Sequence, residues 1–278
     1  MNKTSPMFEL VKYDNIMHRL HEHLQVVIQQ GIEWVGIFLQ GSQNYGLGYE
    51  GSDIDTKVIV LPTFDDFVRN RKPQSTTHEM ENKEHVDIKD IRLMFECFKK
   101  QNVNFLEILF TKYRIINPKY LELFQPLLDG REMVARYNNY KMANALLGMA
   151  LEKQKALEHP YPTIAHKIEK YGFDGKQLSH ALRMREFFFR FFGGESFEDC
   201  LMAKDRGLYL TTKTNEFPTN VTEARHMMES AVVELRQGVT EYMCQTPLCI
   251  NEEAGLLLDE TMLSILKAWF AEQLREGD

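Results

Sequence analysis

The sequence predicts a protein of mixed α/β (α+β) class, in which a short mixed β-sheet flanked by helices is followed by a mainly helical part. Before about residue 118, amphipathic helical segments alternate with short β-branched runs, whereas after it the apolar residues recur almost entirely at helical spacing. The composition, with 44% hydrophobic and 26% charged residues, is that of an ordinary globular protein. We therefore predict two units, residues 1–118 and residues 119–278.

The first unit is predicted to contain three strands and three helical segments. The predicted strands are residues 33–39, 53–61 and 85–90, and the predicted helices are residues 14–30, 91–100 and 105–110. A glycine-rich polar loop, residues 41–52, separates the first two strands. Residues 62–84 are polar and are predicted to form a mobile excursion on the surface.

The second unit is predicted to be helical throughout, because apolar residues recur every three or four positions and caps or glycines stand at the ends of the segments. The predicted helices are residues 131–158, 176–192, 222–237 and 260–274. The sequence contains no internal repeat, and no long flexible linker separates this unit from the first.

Charge and cysteine content limit the partners and the compartment. The net charge of −7 provides no overall cationic field for nucleic acid, so any such contact must be local. The four cysteines are scattered without a paired motif, which favours a reducing interior. No apolar run has the length of a membrane span, and the N-terminus lacks the apolar core of a signal peptide. We predict a cytoplasmic protein without a membrane partner.

Two carboxylates stand two residues apart on the second predicted strand. Because side chains alternate across a strand, Asp53 and Asp55 are expected to share one face. Two adjacent anions repel unless a cation lies between them, and hard oxygen ligands suit Mg²⁺. Asp87, at the centre of the third strand, is the natural third carboxylate if that strand lies next to the second.

The loop just upstream supplies the groups that a phosphate needs. Gly41 and Ser42 end the first strand, where a glycine lets the backbone approach a phosphate and a serine adds a hydroxyl donor. The sequence therefore predicts a phosphate site next to a metal site.

The order and spacing of these residues resemble the active-site pattern of the DNA polymerase β-like nucleotidyltransferase superfamily. The pattern is Gly41-Ser42, ten intervening residues, then Asp53 and Asp55 on a strand, with Asp87 later. Four longer strings resemble a branch of predicted nucleotidyltransferases associated with RNA repair: GSQNYGLGYEGSDIDTK, VDIKD, NVNFLEILF and DGKQLSHALRMREF. The resemblance covers roughly residues 35–194.

The resemblance implies a nucleotidyltransferase fold and the transfer of a nucleoside monophosphate from an NTP to an acceptor hydroxyl, with release of pyrophosphate. It implies two Mg²⁺ or Mn²⁺ ions, both held by Asp53 and Asp55, while Asp87 holds the catalytic one and helps to deprotonate the acceptor. Ser42 and the backbone of Gly41 are expected to bind the β- and γ-phosphates. ATP or CTP is the expected donor, and RNA or tRNA the expected acceptor.

Three further side chains are predicted to line the nucleotide cleft. Lys176, His180 and Arg183 share one helical face and could contact phosphates opposite the metals, although a solvated cationic face has the same spacing. Tyr45 either stacks on a base or ribose or anchors the loop.

Several alternatives stay open from the sequence. The acceptor could be a protein hydroxyl, as in a toxin–antitoxin pair, or a small molecule such as an aminoglycoside, and the chain could bind a nucleotide without chemistry. The basic residues 69–72 either grip a polynucleotide or are simply solvated. Three histidines, His18, His21 and His23, suggest a metal cluster only weakly, because His23 does not share the helical face of the other two.

Overall fold

A five-stranded mixed sheet organises the first half of the protein in the computed structural model, which describes residues 6–48 and 52–276. The strands are β1 (Trp34–Gln40), β2 (Asp55–Val60), β3 (Ser75–Glu79), β4 (His85–Asp90) and β5 (Arg114–Ile116). Their order is β3-β4-β2-β1-β5; β2 and β4 are parallel, and the other neighbours are antiparallel. The predicted fold class is confirmed. Residues 1–5, at the start of the chain, and residues 49–51, within the glycine-rich loop, lie outside the described residues.

Thirteen helices occupy the described part of the chain. They are α1 (Pro6–Ile28), α2 (Phe64–Val68), α3 (Ile91–Lys99), α4 (Val103–Leu106), α5 (Leu121–Asp129), α6 (Arg131–Ala135), α7 (Asn139–Ala156), α8 (Ala165–Tyr171), α9 (Gly175–Phe192), α10 (Phe197–Leu201), α11 (Arg206–Lys213), α12 (Val221–Gln245) and α13 (Glu252–Glu276). A short 3₁₀ turn, Glu107–Leu109, follows α4. None of the described helices is long and apolar enough to cross a membrane.

The two faces of the sheet are buried against different partners. On one face, the apolar side of α1 packs against alternate residues of the strands, such as Val58 and Val60 of β2. On the other face, Ile59 and Leu61 belong to a larger core that continues through the helices of the second half. Side chains of β2 therefore point in turn to α1 and to the helical half, as period-two alternation requires.

Helix α13 packs on the first half of the chain, against α3 and α5. The indole Nε1 of Trp269 donates to the carbonyl of Pro62 at 2.8 Å, and the Phe270 ring lies 5.5 Å from that of Phe64. Lys99 of α3 pairs with Asp259 of α13 at 2.5 Å. These contacts join the two predicted units, and the boundary at residue 118 stays a prediction.

Two predictions about the elements are wrong. The polar segment 62–84 contains α2 and β3, and all five side chains of β3 are exposed, so no apolar alternation marks this edge strand. The helix predicted over residues 131–158 is two helices. The first, α6, ends at Ala135, and Asn138 then caps the start of α7 by accepting a hydrogen bond from the N–H of Lys141.

Candidate active site

The parallel pairing of β2 and β4, two inner strands, brings Asp55 and Asp87 to one face of the sheet. Lys57 of β2 stands opposite Asp87 of β4 in the register, and Asp55 lies two residues before Lys57 on the same face. Asp53 comes just before β2 and is exposed. The intervening residues Ile54 and Val58 point to the other face, toward α1. The adjacency of the two strands, which the sequence pattern required, is present.

Each strand carboxylate already has a partner. Asp55 Oδ1 accepts from the backbone N–H of His85 at 2.9 Å and lies 3.2 Å from the His85 Nδ1. Asp87 Oδ2 is 2.8 Å from the Nζ of Lys57, a buried lysine whose ammonium also lies 4.4 Å from the centre of the Phe105 ring. Lys57 was not predicted as a site residue, because a lysine within a strand usually projects to solvent.

The donor set suits a hard divalent cation in its chemistry. Carboxylate oxygens are the ligands of Mg²⁺ and Mn²⁺, although Asp87 is paired with the Lys57 ammonium in this structure. Among residues 6–48 and 52–276, no three His, Cys, Asp or Glu side chains are gathered closely enough to hold a metal ion in their present rotamers. Of the predicted residues, Asp53, Asp55 and Asp87 are the ones whose carboxylates could hold such an ion.

The loop after β1 begins with a glycine in the left-handed backbone conformation. Gly41 has a φ of +83°, a conformation that side chains rarely adopt, so a glycine is required at this turn. The carbonyl of Ser42 accepts from the N–H of Leu47 at 3.0 Å, which closes the loop. The N–H of Gly41, predicted to bind phosphate, donates instead to Glu107 Oε1 at 3.2 Å in this structure.

Glu107 is a buried carboxyl that sequence reasoning missed. It is 2% exposed, and its Oε2 has no hydrogen-bond partner among the described residues. Burial raises the pKa of Glu107 to about 7, against the lowering influence of the Tyr45 hydroxyl, the Lys57 ammonium and the Gly41 N–H. Its position in the apolar string LEIL gave no sign of a polar role.

Tyr45 connects this loop to α9. The ring is buried, and the guanidinium carbon of Arg183 lies 3.7 Å from its centre. Arg183 is itself buried and donates to the carbonyl of Leu201 at 3.3 Å. Burial raises the pKa of the Tyr45 hydroxyl well above its ordinary value. These contacts favour the anchoring role for Tyr45 over base stacking, and they give Arg183 a supporting place beneath the loop.

A group of cations surrounds His180 in the helical half, and one of them, Lys213, also feels the charge of Asp53 just before β2. Burial first, and then Arg183, Lys176, Lys153 and Lys213, lower the pKa of His180 well below its ordinary value, so this histidine is neutral among positive charges. Lys176 itself is exposed at the start of α9.

Lys213 of α11 is a further residue that the sequence did not indicate. Its Nζ lies 3.4 Å from the carbonyl of Leu47 in the loop. Burial and the charge of Lys176 lower its pKa to about 8, while Asp53 opposes this shift. Lys213 therefore lies between the loop, the cations of α9 and the exposed carboxylate.

The other candidates have ordinary partners. Arg69 pairs with Asp65, and Arg71 pairs with both Asp65 and Asp66, so the basic segment is largely neutralised. His18 lies on the surface beside Glu22, whereas His23 is completely buried.

A groove of about 540 Å³ between α7 and α12, lined by residues such as Arg236 and Glu241, contains none of the predicted site residues.

None of the protein-family models matches the chain, and neither does any curated protein. The features that bear on function are the carboxylates, the loop that begins at Gly41 and the cations around His180.

Proposed function

We propose that the protein is a metal-dependent nucleotidyltransferase that transfers a nucleoside monophosphate from an NTP to an acceptor hydroxyl and releases pyrophosphate. The observation that supports this most is the parallel pairing of β2 with β4, which sets Asp55 and Asp87 on one face next to the Gly41 turn. Cations of the helical half gather around His180, and one of them, Lys213, interacts electrostatically with Asp53. Acidic groups for metal ions and basic groups for phosphates are the two halves that phosphoryl transfer requires.

Bound Mg²⁺ or Mn²⁺, two ions in the full site, would neutralise the triphosphate and lower the pKa of the acceptor hydroxyl. Asp53 and Asp55 would hold the ions, and Asp87 would accept the proton of the acceptor hydroxyl. The acceptor oxygen forms a bond to the α-phosphorus as the bond to the bridging oxygen of the β-phosphate breaks, and pyrophosphate leaves with that electron pair.

The helical half would hold the leaving group. Lys176 and Lys213 carry the charge for the β- and γ-phosphates, with the Ser42 hydroxyl at the turn. Neutral His180 can donate or accept a hydrogen bond there without adding charge. Arg183 and Tyr45 keep the loop against α9, so that these groups stay in position. Catalysis is then mainly positioning and charge neutralisation.

ATP or CTP as donor and RNA or tRNA as acceptor remain part of the proposal. A protein or small-molecule acceptor is the second candidate, and one observation favours it. Asp65 and Asp66 pair with Arg69 and Arg71, the two arginines of the segment for which contact with a polynucleotide was one of two alternatives. We place the reaction in the cytoplasm, as the dispersed cysteines suggest.

The test uses the purified protein with each α-labelled NTP, Mg²⁺ or Mn²⁺, and tRNA, total RNA or lysate in turn. We expect label in one acceptor fraction, and Asp53→Asn or Asp55→Asn to reduce its transfer by about 100-fold or more. Asp129→Asn, an exposed substitution at the end of α5, is the matched control and should leave transfer unchanged.

Full activity in either site variant would refute the assignment. NTP binding measured by calorimetry, with no pyrophosphate released under any acceptor, would indicate a silent nucleotide-binding module instead.

A further inference from the structure

A buried polar network lies behind the candidate site, on the face of the sheet that α1 covers. Glu84 is its centre: its Oε2 accepts from Nε and Nη2 of Arg19 at 2.9 and 2.6 Å, and lies 3.0 Å from Nε2 of His23. Nδ1 of His23 lies 3.0 Å from the hydroxyl of Thr56. His23 and Thr56 are completely buried, and Glu84 is nearly so.

One protonation state satisfies every group of the network. A neutral His23 with its proton on Nε2 donates to the charged Glu84, and its Nδ1 then accepts from the Thr56 hydroxyl. Burial lowers the pKa of His23, which favours this neutral form. Arg19 supplies the charge that compensates the buried carboxylate.

The network touches the backbone that carries the site carboxylates. Glu84 Oε1 accepts from the N–H of Ile54, the residue between Asp53 and Asp55, at 3.3 Å. The residue after Glu84, His85, donates its N–H to the Asp55 carboxylate at 2.9 Å. The junction between the loop and β2 is therefore held at Ile54 by the Glu84 side chain and at Asp55 by the backbone of the next residue, His85.

We propose that Glu84, fixed by Arg19 and His23, is a positioning residue that sets the separation of the site carboxylates by tying the backbone at Ile54 to the start of β4. A buried Glu and His, with a partly exposed Arg, replace apolar packing that would serve a core equally well, so this network is better explained by positional precision than by stability. The inference rests on the proposed function, because the carboxylates matter only if they bind metal.

The experiment measures Mn²⁺ binding to the full-length protein without nucleotide, by electron paramagnetic resonance of the free ion. Glu84→Gln keeps the shape and an acceptor for Ile54, but loses the charge that binds Arg19. We expect its Mn²⁺ affinity to fall about 10- to 100-fold, as is usual when a group that orients metal ligands is changed. The Mg²⁺ concentration for half-maximal transfer should rise with it.

Tyr120→Phe is the matched control. It removes one partly buried hydrogen bond, from the Tyr120 hydroxyl to Glu33, a residue just before β1 and at the other end of that strand from the Gly41 turn. It should cost similar stability and leave Mn²⁺ affinity unchanged. If Glu84→Gln fails to fold, Thr56→Val carries the test, since it removes only the hydroxyl partner of His23; we expect its affinity to fall about threefold or more.

The outcomes separate the two proposals. A wild-type protein that binds Mn²⁺ and transfers nucleotide, together with a folded Glu84→Gln variant of unchanged affinity, overturns this inference alone. For Thr56→Val, unchanged affinity has the same meaning. A wild-type protein that neither binds Mn²⁺ nor transfers nucleotide overturns the proposed function and this inference with it.

Discussion

Replacing Glu107 by glutamine is expected to change how the stability of the protein depends on pH. The pKa of this buried carboxyl rises from an ordinary 4.5 to about 7 in the folded protein. Because the folded-state value is the higher one, the contribution of Glu107 to stability is fully present below about pH 4.5 and is lost as the pH rises to about 7.

The two pKa values set the size of the effect. Their difference corresponds to about 3 kcal/mol over the whole range, and linkage gives about 2.5 kcal/mol between about pH 5 and about pH 8. Glutamine does not titrate, and its Oε1 can still accept from the N–H of Gly41. Any fixed cost of placing the amide beside the Lys57 ammonium is the same at both pH values, so it cancels in the comparison.

The assay is thermal or urea unfolding of the wild type and Glu107→Gln at both pH values. Relative to the wild type, the variant should gain about 2.5 kcal/mol on going from the acidic to the alkaline condition, or roughly 5–10 °C in Tm. Glu122→Gln, at an exposed glutamate of α5, is the control and should show no such gain. Parallel pH profiles for Glu107→Gln and the wild type would refute the reasoning.

Three further substitutions test the surroundings of the site. Lys57→Met removes the ammonium from Asp87, which is partly exposed, so without metal the free energy of unfolding should fall by about 2 kcal/mol; added Mg²⁺ should restore part of it, and thermal melts with equal losses in both conditions would contradict this. Lys213→Met should raise the KM for the NTP by about tenfold with little change in kcat, because the proposed function gives Lys213 a phosphate to bind; steady-state kinetics with an unchanged KM would exclude Lys213 from the phosphate site. Trp269→Phe removes the donor to the Pro62 carbonyl and should cost about 1 kcal/mol in urea unfolding while transfer stays unchanged; an unaltered urea midpoint would argue against that hydrogen bond.

Local sequence patterns were sufficient for much of the sheet. The predicted bounds of β4, residues 85–90, are those of the structure, because its buried and partly exposed side chains alternate without interruption. The register of β2 with β4 supplies the neighbouring strand that the pattern needed, whereas Asp53, predicted to lie on β2, comes before it, so its shared face with Asp55 stays a prediction. The site function itself stays a prediction.

What the sequence did not reveal depends on contacts between distant segments. His23 meets Glu84 across 61 positions, and the role of Glu84 is invisible without that contact. Glu107 lies in an apolar string, so only the fold shows that its carboxyl is enclosed beside Gly41. Lys57 resembles an ordinary strand residue until the register sets it opposite Asp87. In each case tertiary contact, rather than local pattern, decides the chemistry.

The docking of α13 has a consequence for how the protein is made. Helices α3 and α5 leave the ribosome more than a hundred residues before α13, which begins at Glu252. Until α13 is made, the apolar surfaces of α3 and α5 that pack against it in the core, with Ile265 and Leu266, are exposed to solvent. The Pro62 carbonyl likewise lacks its indole donor. Nascent chains halted before residue 252 should therefore be prone to aggregation and readily degraded by proteases, even when their sheet is complete.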